Sequence, residues 1–389
     1  MNKKIKIGIF VDSFYPVVDG VSQVVNNYCK YLNMYEDVDV TLITPRYPNA
    51  HYETYEFKIY PYTSFGSNKK VSYRVGWPFV KKTVDDIKNM NLDIIHIHAP
   101  LASSELVRLV NKNKHAKVVL TYHTKYDVDF EARLKTKLMK KVAYSFLEKN
   151  INDTDEVWIV SAGSETALRN VGFRGKCRVM ENGVDFVKAP ADKEKCAALR
   201  KKYNIPDNCL VFSFVGRMEW YKNIRLVLDA LTLVKKQGLD YRMLFVGKGT
   251  DLDDMKKCAD SLGLADKVIF AGPVYDREEL RIYYSISDLF LFLSTFDTAA
   301  IVVKEAAACA CPVLFAEGSD SAYGVEDGVN GYFTPENAET MAKKIIDICA
   351  DREKLAAVGE KASETLYVPW SVSVDRAYKR YKEILGITE

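Results

Sequence analysis

Two carboxylates eight residues apart, Asp297 and Glu305, stand in the stretch FDTAAIVVKEAAACACPV, residues 296–313. An apolar run precedes them, so Asp297 falls at a strand-to-helix turn and Glu305 two helical turns later, among Ala306, Ala308, Cys309 and Ala310. Those small neighbours allow close approach of another group. A buried, unpaired carboxylate costs roughly several kcal/mol, so Glu305 needs donors, which the flanking Ala and Val side chains do not supply. Ligand hydroxyls would. The competing reading makes Asp297 a helix N-cap and Glu305 an exposed helix residue. A second grouping lies in FVGRMEWYKNI, where Gly216 ends an apolar run and Arg217 and Lys222 follow in the turn and at the start of a helix. Two cations at the carboxyl end of a strand, beside a helix N-terminus, form an anion site suited to a diphosphate; the alternative is a pair of surface charges. The run VGKGT, residues 246–250, is either a tight turn or a further phosphate contact.

Elements must hold these residues in place, and the chain supplies them in alternation. Apolar runs of strand length at 5–11, 38–44, 57–62, 93–98, 117–123, 156–160 and 177–180 are separated by helix-period segments at 21–32, 80–90, 103–112, 131–147 and 165–171. Residues 182–209 read as a linker, after which strands at 210–215, 242–246, 267–271, 289–293 and 313–316 resume the pattern. This predicts an α/β protein of two doubly wound, Rossmann-like domains with a ligand cleft between the carboxyl ends of their strands. The expected domains are 1–190, 191–368, and a terminal helix, 369–389, crossing back to the first. Helices are expected at 338–350 and 353–366, and at 370–385 with a packing stripe of Val372, Ala377, Tyr378, Tyr381 and Leu385.

Composition narrows the classes. A chain of 389 residues, 48% hydrophobic and 28% charged, is ordinary for two soluble globular domains. The net charge of +3 conceals an asymmetry, about +7 over residues 1–190 against about −4 for the remainder. Eight scattered cysteines without a CxxC pair suggest reduced packing residues, not a disulfide framework or zinc site. The first apolar run stops at Asp12, too early for a signal peptide, and no run reaches membrane-span length. Neither a Walker loop nor GxGxxG after the first strand is present, and no DxD pair suggests a metal.

Taken in order, GRxxxxK (Gly216, Arg217, Lys222), VGKG, FAGPV (270–274), the spaced carboxylates and EDGVNGYF (326–333) resemble the nucleotide-sugar domain of family 4 glycosyltransferases. In the first half, DGV (19–21), HIHAP (96–100), TYHTKYDVDF (121–130) and ENGVDF (181–186) agree. The resemblance implies the GT-B fold, retention of anomeric configuration, and no cofactor, metal or nucleic acid. Arg217 and Lys222 would hold the donor diphosphate, and Glu305 the ribose hydroxyls. The backbone of Thr298, Ala299, Ala300 and Ile301 would hold sugar and phosphate, with Val274 beside the base. Gly20 would approach the phosphates, while His123 and Asp297 would act at the sugar. Without a metal, two cations and helix N-terminal amides would stabilise the leaving nucleoside diphosphate. Histidines 96, 98 and 115 read as core or surface residues.

TYHTKYDVDF looks like the loop of the bacterial branch that glucosylates diacylglycerol, implying a UDP-linked glucose or galactose donor and a lipid acceptor. The segment 131–149 interleaves Arg133, Lys135, Lys137, Lys140 and Lys141 with Leu134, Leu138, Val142, Phe146 and Leu147, as in a helix lying on anionic lipid from the cytoplasmic side. A core helix with a solvated basic face fits equally. Polysaccharide or soluble acceptors, a non-catalytic nucleotide-binding partner and an epimerase are the rivals. The chain departs from the family at Asp297 (usually Glu), at Ala300 and Ala310 (usually Gly), and at Tyr221 (usually Glu).

Overall fold

The computed structural model describes residues 4–17, 19–48, 50–66, 73–188 and 191–387. It divides into two compact units, one of residues 1–183 with 370–389 and one of residues 184–369. The first contains β1 (Ile5–Phe10), α1 (Gly20–Leu32), β2 (Val38–Pro45), β3 (Lys58–Tyr62), the short strands β4 (Ser64–Phe65) and β5 (Val75–Gly76), and α2 (Lys81–Asn89). There follow β6 (Ile94–Ile97), α3 (Ala102–Val110), β7 (Lys117–Tyr122), α4 (Tyr126–Arg133), α5 (Lys137–Asn152), β8 (Glu156–Ile159), α6 (Ser164–Asn170) and β9 (Cys177–Val179). Seven strands form one parallel sheet in the order β3-β2-β1-β6-β7-β8-β9. Its order reverses between β1 and β6, so the strand ends at Val11–Asp12 and His98 mark the switch point. The antiparallel pair β4 and β5 is not foreseen from the sequence.

The second unit runs α7 (Lys193–Lys202), β10 (Leu210–Val215), α8 (Ile224–Lys236), β11 (Tyr241–Val246), α9 (Leu252–Ser261), β12 (Val268–Gly272), α10 (Arg277–Ser285) and β13 (Leu289–Phe292). It continues with α11 (Ile301–Ala308), β14 (Val313–Ala316), β15 (Tyr332–Thr334), α12 (Ala338–Cys349) and α13 (Arg352–Thr365). The parallel order is β12-β11-β10-β13-β14-β15, with its reversal between β10 and β13. Both faces of this sheet are covered, which is why β10 and β13 are continuous apolar runs buried at every position.

Three sequence expectations are corrected. The single helix expected over 131–147 is two, because Leu134 adopts an extended conformation (φ −91°, ψ 119°) and Thr136 starts α5 afresh, its side chain accepting from the Met139 amide at 3.2 Å. The linker expected over 182–209 contains α7, N-capped by Asp192 and anchored in the core of the second unit through Leu199. The last helix, α14 (Trp370–Ile384), belongs to the first unit and buries Ala377 and Tyr381 of its expected stripe, but Trp370 and Val374 complete the inward face in place of Val372. Trp370, Val374, Ala377 and Tyr381 are buried at spacings of three and four, whereas Val372 is exposed. Burial of each large apolar side chain stabilises by about 1.5–3 kcal/mol, and Arg380 adds a two-pronged contact to Glu156. Gly183 is obligatory here, since a Cβ would collide with the Trp370 backbone. Ala310 holds a left-handed φ of 53°, the conformation that favours the glycine usual in the family.

Candidate nucleotide-sugar site

In the second unit the switch point brings the loops after β10 and β13 together. Asn223, left-handed at φ 60°, heads α8 and donates its side-chain amide to the Leu293 carbonyl at 2.9 Å, joining the two strand ends. Just before it, Lys222 is buried, and its Nζ lies 2.5 and 2.7 Å from the two carboxylate oxygens of Asp297. The rings of Tyr221 and Phe296 lie 5.0 and 5.8 Å from the ammonium. Burial pushes the Lys222 pKa down, while Asp297 opposes that shift by favouring the charged form. The cation is thus fixed, as the sequence implies, but already holds a counter-ion. Arg217 is not comparably fixed: its side chain is 60% exposed and lies 3.4 Å from Glu219.

Asp297 is not the N-cap of α11. Ala300 takes that place without a capping side chain, and its amide donates instead to Ser321 Oγ at 3.0 Å. Thr298 is buried in the same loop, Ala299 is half-buried, and Ile301 is the first residue of α11. Glu305 therefore sits one turn into the helix, not two. It is 2% exposed, and the donors that its own helix does not supply come from a neighbouring one. Arg277 Nη2 donates to Oε1 at 2.6 Å and the Tyr284 hydroxyl to Oε2 at 2.8 Å. Both come from α10, seven residues apart on one face, which sequence reasoning did not connect with Glu305. Asp185, present in the ENGVDF motif, holds Arg277 from the other side with contacts of 3.0 and 2.5 Å.

Other expected residues are placed less pointedly. Val274 is half-buried against the cluster that includes Phe186 and Tyr284. The glycines of VGKG serve loop packing, since a Cβ on Gly247 or Gly249 would strike the carbonyl oxygen of Gly216 or Met218. In the first unit, Gly20 is the first residue of α1, where Asp19 and Ser22 make a reciprocal cap with distances of 2.7 and 2.9 Å. His123 directly follows β7, its Nε2 2.9 Å from His98 Nδ1 with the rings stacked. Burial lowers its pKa to about 3. His96 is a core residue, bridged to Tyr381 at 2.6 Å and Thr121 at 2.7 Å, and His98 is equally buried; His115 is on the surface.

The exposed segment α5 carries its apolar residues outward. Leu138, Met139 and Val142 are exposed at 72%, 49% and 62%, interleaved with Lys137 and Lys141, and only Leu147 and Ile151 near its far end are buried among its apolar residues. The Arg133 side chain lies outside the described residues. A second apolar surface, unforeseen, joins Phe65, Trp77 and Phe79 edge to face at 5.6 and 5.1 Å. Among the described residues, no helix is long and apolar enough to cross a membrane.

Two parallel sheets of this kind, each with its switch point, are the architecture of GT-B glycosyltransferases. HepE (Alr3699) of Anabaena, crystallised with UDP, shares it with a TM-score of 0.80 at 20% identity, over 97% of this chain and 100% of that one. Residues 18–188 match the domain described as Glycosyltransferase Family 4, and residues 197–365 that described as Glycosyl transferases group 1. The chain belongs to the family 4 glycosyltransferases. Among curated proteins, the alpha-monoglucosyldiacylglycerol synthase of Streptococcus pneumoniae is 26% identical over 369 residues, covering 89% of this chain and 83% of that protein. The enzyme of the same name from Acholeplasma laidlawii is 26% identical over 367 residues, covering 92% and 91%.

Proposed function

We propose that the chain is a retaining glycosyltransferase that moves a hexose, glucose or galactose, from a UDP-linked donor to a lipid acceptor such as diacylglycerol. The observation that carries this reading is the end-to-end similarity to two alpha-monoglucosyldiacylglycerol synthases. The chemistry of the second unit is compatible with it. Lys222 and the amides that open α11 would stabilise the charge developing on the leaving diphosphate, and exposed Arg217 would close on it. Glu305 would accept from the ribose, and Val274 would line the base. The backbone from Thr298 to Ile301 would hold sugar and phosphate. Gly20 would approach the phosphates, and His123 and Asp297 would act at the sugar. His123, kept neutral by burial, serves as a hydrogen-bonding group and not as a charge. Attack on the face the leaving group departs from, with the leaving phosphate taking the acceptor proton, requires no protein base.

The outward apolar face of α5, edged by lysines, supports peripheral docking on anionic lipid at the inner face of the cell membrane. One observation favours a second reading, a nucleotide-binding protein without turnover: Asp297 is occupied by Lys222 and so is withdrawn from a sugar. The deciding experiment incubates the protein with UDP-glucose or UDP-galactose and diacylglycerol in anionic mixed micelles and identifies the product by mass spectrometry and NMR. An α-linked hexosyl diacylglycerol is expected. UDP binding without product on lipid or soluble acceptors supports the second reading, and donor interconversion without acceptor would identify an epimerase.

A further inference from the structure

Glu305 is surrounded by more protein than a simple ligand contact needs, and the arrangement is specific. An ionised carboxylate has about four acceptor sites, two on each oxygen. Arg277 occupies one on Oε1 and Tyr284 one on Oε2, which leaves one on each oxygen. That remainder matches a pair of vicinal hydroxyls, each donating to one oxygen. Arg277 is itself clamped, by Asp185 through Nε and Nη2 and by the Phe186 ring 4.4 Å from the guanidinium carbon. Tyr284 is fully buried and packs on the same Phe186 ring at 5.9 Å. Two carboxylates around one guanidinium leave a local negative charge, suited to hydroxyl donors and hostile to phosphate, whereas the fixed cation Lys222 serves the anion.

We propose that Arg277, clamped by Asp185, is a positioning residue for the donor: it acts through Glu305, holding that carboxylate turned so that its remaining acceptor sites meet the 2′ and 3′ hydroxyls of the nucleoside ribose. The proposal rests on the reading of Glu305 as the ribose contact. It differs from a purely structural role for the triad because the effect of Arg277 must disappear when the ribose hydroxyls are absent.

Calorimetric binding of UDP and of 2′,3′-dideoxy-UDP to the full chain and to the variants R277Q, R277K, D185N and E305Q tests this, with circular dichroism reporting on folding. Wild type should bind the dideoxy analogue about tenfold more weakly than UDP, the loss typical of hydrogen bonds to a charged group. R277Q should weaken UDP by about the same factor yet bind the dideoxy analogue as wild type does. R277K should recover part of the loss, and D185N, the milder change, should show a smaller loss with the same dependence on the hydroxyls. In transfer assays R277Q should raise KM for the donor and leave kcat within about twofold. Equal weakening of both nucleotides in R277Q and D185N, or none, overturns the inference while E305Q is selectively weakened. Unchanged UDP binding by E305Q overturns the ribose reading itself, and the inference with it.

Discussion

Lys222 and Asp297 form a pair whose energetics change when a donor arrives. A buried ammonium without a partner is costly, so Asp297 serves as a resident counter-ion, held at 2.5 Å and partly open to solvent. A diphosphate must take Lys222 over from it. Replacing Asp297 by Asn should therefore lower the melting temperature of the free protein but enlarge the stabilisation that UDP confers, with UDP binding tighter by about tenfold, the scale of one charge-assisted hydrogen bond. Transfer should fall in the same variant if Asp297 acts at the sugar. Thermal shift with and without UDP checks the first part, and an unchanged or smaller UDP shift contradicts it. The residues GRxxxxK announced an anion site, but the sequence carried no sign that its lysine and the later aspartate would meet. They are 75 positions apart, and only adjacent strand ends bring them into contact.

Among the elements, α5 has the clearest consequence outside the nucleotide site. Its apolar residues at 138, 139 and 142 gain nothing from packing, so their retention on a lysine-rich helix fits an interface with lipid. The double variant Leu138→Asp, Val142→Asp should lose sedimentation with anionic vesicles while keeping its thermal stability and UDP binding. Wild-type binding should weaken steeply between low and high salt. Vesicle binding that survives both changes would remove α5 from the membrane account. Periodicity located this helix approximately but ran it into α4. The break at Leu134 left only the weak signal of Thr136 as a possible N-cap, because the apolar spacing on either side continues almost in phase.

At the scale of the molecule, the first unit holds two buried histidines, His96 and His98, and the half-buried His123, and this makes its stability depend on pH. Burial holds His96 and His98 well below 6.5 and His123 at about 3. Below pH 6.5 the unfolded chain takes up protons that the native unit refuses, so stability falls as pH drops. Asp12, raised by burial to about 6, works the other way between that value and its ordinary 3.8, since there the native state keeps a proton that the unfolded chain has released. Three groups against one leave the unfolded chain binding more protons than the native unit around pH 5, so the histidines set the sign of the pH dependence there. The urea midpoint should hold between pH 8 and 7 and fall from pH 6 to 4.5; a constant or rising midpoint over that lower range would falsify the burial of neutral histidines. The sequence by itself determined the alternation of strands and helices, and hence two parallel α/β sheets, because periodicity and continuous apolar runs are local properties of the chain. It also determined the order of motifs that marks the family. The tertiary structure alone decided which polar groups meet: Lys222 with Asp297, Glu305 with Arg277 and Tyr284, and His96 with Tyr381 across 285 positions. Pairing of buried polar groups is a matter of three-dimensional neighbours, and strand order, which sets those neighbours, is not written in any local pattern.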